Sequence, residues 1–170
     1  MESFRCSTCG KQHSGAPLSY IAREPYPYLL IPEAERAARS LIDTDLCVID
    51  EARYFMLGNL ELKVLETGGR FSWDVWVELQ KADFTHAVKV WETVGREASR
   101  PYQAVLATPL SIYPPTVGLV CSVFTRPVGA RPGITLHESD HPLYREQSDG
   151  ITLHRVQEIA ALVLGKRAGV

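Results

Sequence analysis

Apolar and polar residues alternate most regularly from Phe71 to Gln80. Phe71, Trp73, Val75, Val77 and Leu79 share one face, and Ser72, Asp74, Trp76, Glu78 and Gln80 share the other. This period predicts a strand with one face in a core. Trp76, alone among polar neighbours, predicts that the second face is partly covered as well. Thr67-Gly68-Gly69-Arg70, just upstream, is the clearest hairpin signal in the chain, because paired glycines supply the positive φ of tight turns. The opposite arm is expected from Leu60 to Glu66, with Leu60, Leu62 and Val64 on one face. Arg53 to Leu57 predicts a separate strand, divided from that arm by a bulge or bend at Gly58-Asn59. Leu46 to Asp50, Tyr102 to Leu106, Val117 to Phe124 and Ile134 to His137 are further predicted strands.

Three segments carry helical spacing. Pro32 suits a first helical residue and Glu33 and Glu35 suit the positive helix end. With Ala34, Ala37, Ala38 and Leu41 as an apolar stripe, a short helix is expected over 32–42. Asp83 is a candidate N-cap for a helix reaching about Val94, with Phe84, Ala87, Val88 and Trp91 inward and Gly95 as its stop. Ile151, Val156, Ile159, Ala160 and Val163 predict an amphipathic helix over 150–164, ended by Gly165. Hairpin-linked strands with separated helices predict an α+β fold. The expected organisation is one domain over 21–170, an antiparallel sheet of five to seven strands with two or three helices packed on it, preceded by a Cys-rich knuckle at 1–20.

The chain has 170 residues, 45 % apolar and 22 % charged, with a net charge of −2. That suits a single domain needing no cross-links and excludes a generally basic binder of nucleic acid. No apolar run approaches the ~20 residues of a membrane span, so none is expected. The start lacks an apolar signal core, which makes the expected compartment the cytoplasm.

The sharpest motif is Cys6-Ser7-Thr8-Cys9-Gly10-Lys11-Gln12-His13. Two residues between the thiols let both reach one ion, Gly10 lets the chain turn, and His13 follows closely enough to add a nitrogen. Three such ligands suit tetrahedral zinc in a structural role. Cys47, His141 or water are candidates for the fourth position. A reducible Cys6/Cys9 dithiol is the alternative, although the strand-then-helix setting of thioredoxin-type sites is missing. Cys121, in Leu-Val-Cys-Ser-Val, reads as a small buried hydrophobe.

A second constellation lies at 125–146. Arg126 and Arg131 sit on a stiff Pro/Gly loop, and His137, Glu138, Asp140 and His141 follow. Arginines on a rigid loop can bind carboxylate or phosphate, and histidines beside carboxylates can move protons. The plainer structural expectation is that Arg126 and Arg131 pair with acidic neighbours and that the histidines are surface residues or helix-cap partners. No nucleophile elbow, P-loop, dinucleotide fingerprint or HExxH is present.

Cys-Ser-Thr-Cys-Gly-Lys-Gln-His-Ser-Gly from Cys6, Cys47-Val-Ile-Asp, Trp73 to Leu79, Trp91-Glu-Thr, Thr125-Arg-Pro-Val-Gly-Ala-Arg-Pro, Asp140-His-Pro-Leu and Asp149-Gly-Ile-Thr follow in order. Together they resemble the bacterial domain of unknown function family DUF2199. The resemblance implies a free-standing bacterial protein of about this size and carries over no activity. The functional expectation is a non-enzymatic protein whose zinc knuckle is structural and whose surface binds a protein partner. The rivals are a small enzyme holding an anionic substrate through Arg126 and Arg131 with His137 or His141 shuttling protons, and a thiol redox role for Cys6 and Cys9.

Overall fold

The computed structural model describes the backbone of residues 3–5 and 12–167 and the side chains of residues 15–163. In chain order the elements are β1 (Ser3–Arg5), β2 (Gln12–Ser14), β3 (Ser19–Ile21), α1 (Tyr26–Leu29), α2 (Glu33–Arg39), β4 (Ser40–Ile42), β5 (Leu46–Ile49), β6 (Arg53–Lys63), β7 (Arg70–Leu79), α3 (Lys81–Lys89), β8 (Tyr102–Leu106), β9 (Val120–Phe124), β10 (Gly133–Leu136), α4 (Pro142–Asp149) and α5 (Leu153–Arg167). A single 3-10 turn, Arg96–Ala98, lies between α3 and β8.

β1 and β2 form their own antiparallel pair, with Phe4 opposite His13 and Arg5 opposite Gln12. Cys6, Cys9 and the His13 side chain lie outside the described residues. The other strands make one eight-stranded sheet in the order β3-β7-β8-β9-β10-β6-β5-β4, and β6 also pairs with β7. That second pairing closes β6 to β10 into a five-strand barrel. The α+β class and single domain stand, but the sheet is larger than the five to seven strands expected and is not purely antiparallel: β10 meets β6, and β3 meets β7, in parallel. Among the described residues five helices stand where two or three were expected. Barrel closure is a long-range event that period-two patterning does not report, because a strand looks the same whether its neighbour is near or far in sequence.

The β6–β7 hairpin is the frame. Ten residue pairs, from Tyr54↔Leu79 to Lys63↔Arg70, hold its register. Gly68, at φ +68°, makes the turn. β6 runs unbroken through Gly58 and Asn59, so the expected bulge is absent. Gly58 serves the barrel seam instead. A Cβ there would lie 2.7 Å from Ile134 Cδ1 and 2.9 Å from the Pro132 carbonyl oxygen, so only a glycine lets the β10 strand close on β6.

Each face of the hairpin packs on a separate core. Inward residues such as Met56, Leu60, Leu62, Phe71, Trp73 and Val75 meet Tyr102, Cys121, Val123 and Ile134 from the other barrel strands, with α3, α4 and α5 supplying Phe84, Leu143 and Ile159. On the outer face Phe55, Leu57 and Trp76 pack with Ile31, Cys47, Ile49 and Ala107. Trp76 is fully buried, and its indole N–H donates to the Ala22 carbonyl at 3.0 Å. The covered second face that Trp76 predicted is therefore present.

Helix boundaries moved for local reasons. The segment expected as one helix over 32–42 is α2 followed directly by β4, because Leu41 and Ile42 pair with Val48 and Cys47. None of the α2 residues is buried, so its apolar stripe faces solvent rather than a core. Asp83 lies inside α3 rather than capping it, and its carboxylate takes a 2.6 Å bond from Arg100. The helix expected over 150–164 begins instead at Leu153, and α4 precedes it, capped by His141 and ended by Gly150 at φ +85°.

Gly58→Ala is expected to destabilise the fold by about 1–3 kcal/mol through overpacking at the barrel seam, measured as a drop in the urea unfolding midpoint. An alanine variant as stable as the wild type would refute the steric account.

Candidate functional site

The loop from Thr125 to Pro132 joins β9 to β10 and carries both sequence-selected arginines. It is held from beneath by Arg96, which is only 5 % exposed. Arg96 Nε donates to the Arg126 carbonyl at 2.7 Å, and Nη2 donates to the carbonyls of Pro127 at 3.1 Å and Ala130 at 2.7 Å. Nη1 donates to the Trp91 carbonyl at 2.6 Å, and the guanidinium lies 5.1 Å from the Trp91 ring centroid. A buried cation is costly unless its donors are satisfied. Here carbonyl dipoles from a turn and a loop satisfy them, so the loop cannot move without stranding the charge. Sequence reasoning passed over Arg96, because one arginine after a helix stop carries no periodic signal.

On the opposite side the loop arginines join a ribbon of side chains across β6 and β7. Arg131 Nε donates to Asp45 at 2.7 Å and Nη1 donates to Asp74 at 3.3 Å. Asp74 Oδ1 also accepts from Asn59 Nδ2 at 2.8 Å and Ser72 Oγ at 2.6 Å. Arg126 Nη1 donates to Glu61 at 3.1 Å, and Arg70 donates to the other oxygen of that carboxylate at 2.9 Å. Asn59, Glu61, Ser72 and Asp74 are the outward, even-spaced positions of the hairpin, so strand alternation places them on one face. Three arginines thus meet three carboxylates. The Arg126 and Arg131 side chains are 32 % and 29 % exposed, and pairs of this kind contribute on the order of 1 kcal/mol each. Asp74, Asn59 and Asp45 were not singled out from sequence; their outward register on the hairpin was the available signal for the first two.

The histidines do not join this ribbon. His137 follows β10 whereas Arg131 precedes it, a separation of roughly 13 Å along four strand residues. His137 Nε2 lies 2.9 Å from Ser122 Oγ across the β9–β10 pair. His141 Nδ1 accepts from the Leu143 amide at 3.1 Å, capping α4, which leaves Nε2 to donate to the Pro114 carbonyl at 3.3 Å. The binding set Arg126, Arg131 and His141 is therefore not one cleft: the two arginines converge and His141 serves a helix end. A second polar cluster, missed from sequence, lies under α4 and α5. Tyr113 Oη donates to Glu146 at 2.6 Å, and Arg155 Nε donates to the same carboxylate at 2.7 Å. Burial and the Glu146 charge raise the Tyr113 pKa.

Both described cysteines are buried and free. Desolvation, with Asp43 nearby, pushes the Cys47 thiol up to about 12, and desolvation alone pushes Cys121 up to about 12. Each is held as a neutral thiol within a core, so neither is prepared as a free nucleophile. As fourth-ligand candidates, Cys47 is enclosed beside Trp76 and His141 has both ring nitrogens engaged. Among the described residues no three His, Cys, Asp or Glu side chains gather to hold a metal ion. No helix among them is long and apolar enough to cross a membrane.

Fold and site together define a small α+β barrel domain whose arginine loop is riveted on two sides, one cationic and one ionic. The chain belongs to DUF2199, an uncharacterized protein family conserved in bacteria, whose model matches residues 5–151. No curated protein and no solved structure matches it.

Arg96→Met is expected to cost about 2–4 kcal/mol, since it strands buried carbonyls, and Arg96→Lys should recover only part, because one ammonium cannot span four acceptors. Chemical unfolding of the two variants checks this. A fully stable Arg96→Met protein would show that the clamp is dispensable.

Proposed function

We propose that this chain is a non-enzymatic cytoplasmic protein of bacteria that fastens its N-terminal knuckle with zinc and works by binding a protein partner. The observation that carries the partner role is the edge at β4, where the sheet of described strands ends. Leu41 there is 78 % exposed and Ile42 is exposed as well, while Ala34, Ala37 and Ala38 of α2 add to the same uncovered stripe. Apolar groups left on a sheet edge are characteristic of surfaces that another chain covers.

The arginine loop supports the same reading from the other direction. An anionic substrate would have to displace Glu61, Asp74 and Asp45 from Arg126 and Arg131. Those carboxylates neutralise the ribbon, and the histidines that would shuttle protons stand elsewhere. In the knuckle, Cys6, Cys9 and His13 would hold the zinc. The antiparallel pairing of β1 with β2 supports this, since Arg5 opposite Gln12 brings the two ends of the Cys-containing segment together.

Freshly purified protein is expected to contain close to one zinc per chain by elemental analysis, with Cys6→Ser and Cys9→Ser losing it and melting lower. A metal-free protein with unchanged melting would remove zinc from the account. Titration with inorganic phosphate and with a dicarboxylate, followed by NMR of the arginine side chains, is expected to leave Arg126 and Arg131 unmoved. Saturable shifts at both would restore the enzyme reading.

A further inference from the structure

The chemistry of the β4 edge specifies what would cover it. Arg39 and Asp43 lie at either end of β4 and both bond toward β5: the Asp50 amide donates to the Arg39 carbonyl at 2.7 Å, and the Asp43 amide donates to the Leu46 carbonyl at 2.9 Å. In an antiparallel ladder alternate residues bond to opposite sides, so Ser40 and Ile42 turn their peptide groups outward. The Ser40 amide is taken by the Arg36 carbonyl at the end of α2. Among the described residues this leaves the Ser40 carbonyl and the amide and carbonyl of Ile42 to pair with an added strand. β4 ends the sheet order, with no described strand beyond it.

Two grooves run along this edge, of about 440 Å³ and about 430 Å³. Leu41, Ser40 and Ala37 line both, so Leu41 forms the ridge between them. Val48 backs one groove and Tyr28 with Ile42 the other. Side chains of an extended segment point alternately to two faces, which fits a ridge with a groove on each side.

The rim is acidic. Glu33, Glu35, Asp43, Asp50 and Glu51 are exposed around the edge, against Arg36 and Arg39. Arg36 donates to the backbone carbonyls of Ile31 and Leu29, and Arg39 is engaged by both Asp50 and Glu35. Negative charge is therefore in excess where an incoming strand would lie, and it disfavours a second copy of the same edge, which would bring like rims together.

Resting on the partner-binding role proposed above, we propose that the α2–β4 edge takes an extended basic segment of a partner protein as an added strand, with apolar side chains in the two grooves and lysines or arginines against the rim. The probe is a capped, fluorescent Lys-Lys-Val-Val-Lys-Lys peptide (the Lys-Val peptide), whose adjacent valines point to opposite faces, with versions carrying threonine (Thr-Val) or glutamate (Glu-Val) in place of lysine beside it, read by anisotropy and by NMR shifts at Ile42. The Lys-Val peptide is expected to bind saturably, to weaken as salt rises, and to lose about tenfold or more in affinity on Leu41→Lys. Glu33→Lys with Asp43→Lys is expected to cost several-fold and to flatten the salt dependence. Leu41 is exposed, so equal melting temperatures will show that its variant is folded.

Equal, salt-insensitive binding of the Thr-Val peptide at Ile42 would overturn the basic partner while leaving partner binding in place. A dimer in sedimentation that Leu41→Lys dissociates, with no peptide bound, would make a second copy the occupant and overturn the proposal. A monomer that binds no peptide would overturn both this inference and the partner role drawn from the edge.

Discussion

The Arg96 guanidinium is the constraint on which the β9–β10 loop and its ionic ribbon depend. It is buried, it meets no carboxylate among the described residues, and its donors end on four backbone carbonyls drawn from the turn after α3 and the loop before β10. A charge in that position cannot be half released, since any opening of the loop would leave an unsolvated cation and several unpaired carbonyls together. The loop is consequently fixed before its own arginines act. Arg126 and Arg131 then reach over β6 and β7 from a rigid base, which is why they can complete an ordered ribbon instead of sweeping through solvent.

That ribbon and the outer core divide a single surface. Along the outward positions of β6 and β7, Phe55, Leu57 and Trp76 lie under the α1–β5 layer, while Asn59, Glu61, Ser72 and Asp74 lie under the arginine loop. The same period-two spacing supports both halves, and the covering chemistry changes from apolar to ionic within one strand. Gly58 marks the opposite side of this boundary, where β10 closes the barrel. One hairpin therefore organises an inner core, an outer core and a charged clasp. What remains unspent is the margin of the outer layer, where α2 has no buried residue and β4 has no second neighbour among the described strands.

Much of the frame was legible in the residues. The β6–β7 hairpin, its Gly68-Gly69 turn, the strands at β5, β8, β9 and β10, and the covered Trp76 face all came from local alternation and turn chemistry. The pairing of Arg126 and Arg131 with acidic neighbours was also visible as the plainer outcome. Helix ends were less legible. Leu41 fits an α-helical stripe as well as a strand, and only its partner Val48 decides between them. His141 allowed both a proton shuttle and the plainer helix cap, and its neighbours in space, the Leu143 amide and the Pro114 carbonyl, make it the cap.

The residue order by itself determined local geometry: which segments extend, where glycine permits a turn, and which face of each strand is apolar. It also supplied the knuckle motif and the family resemblance. Closure of the barrel, the joining of β6 to β10 in parallel, the clamp by Arg96 and the solitude of the β4 edge were decided by packing across long chain separations. Such contacts depend on volume at a seam and on satisfying buried charge, and neither quantity has a period that can be read along one chain.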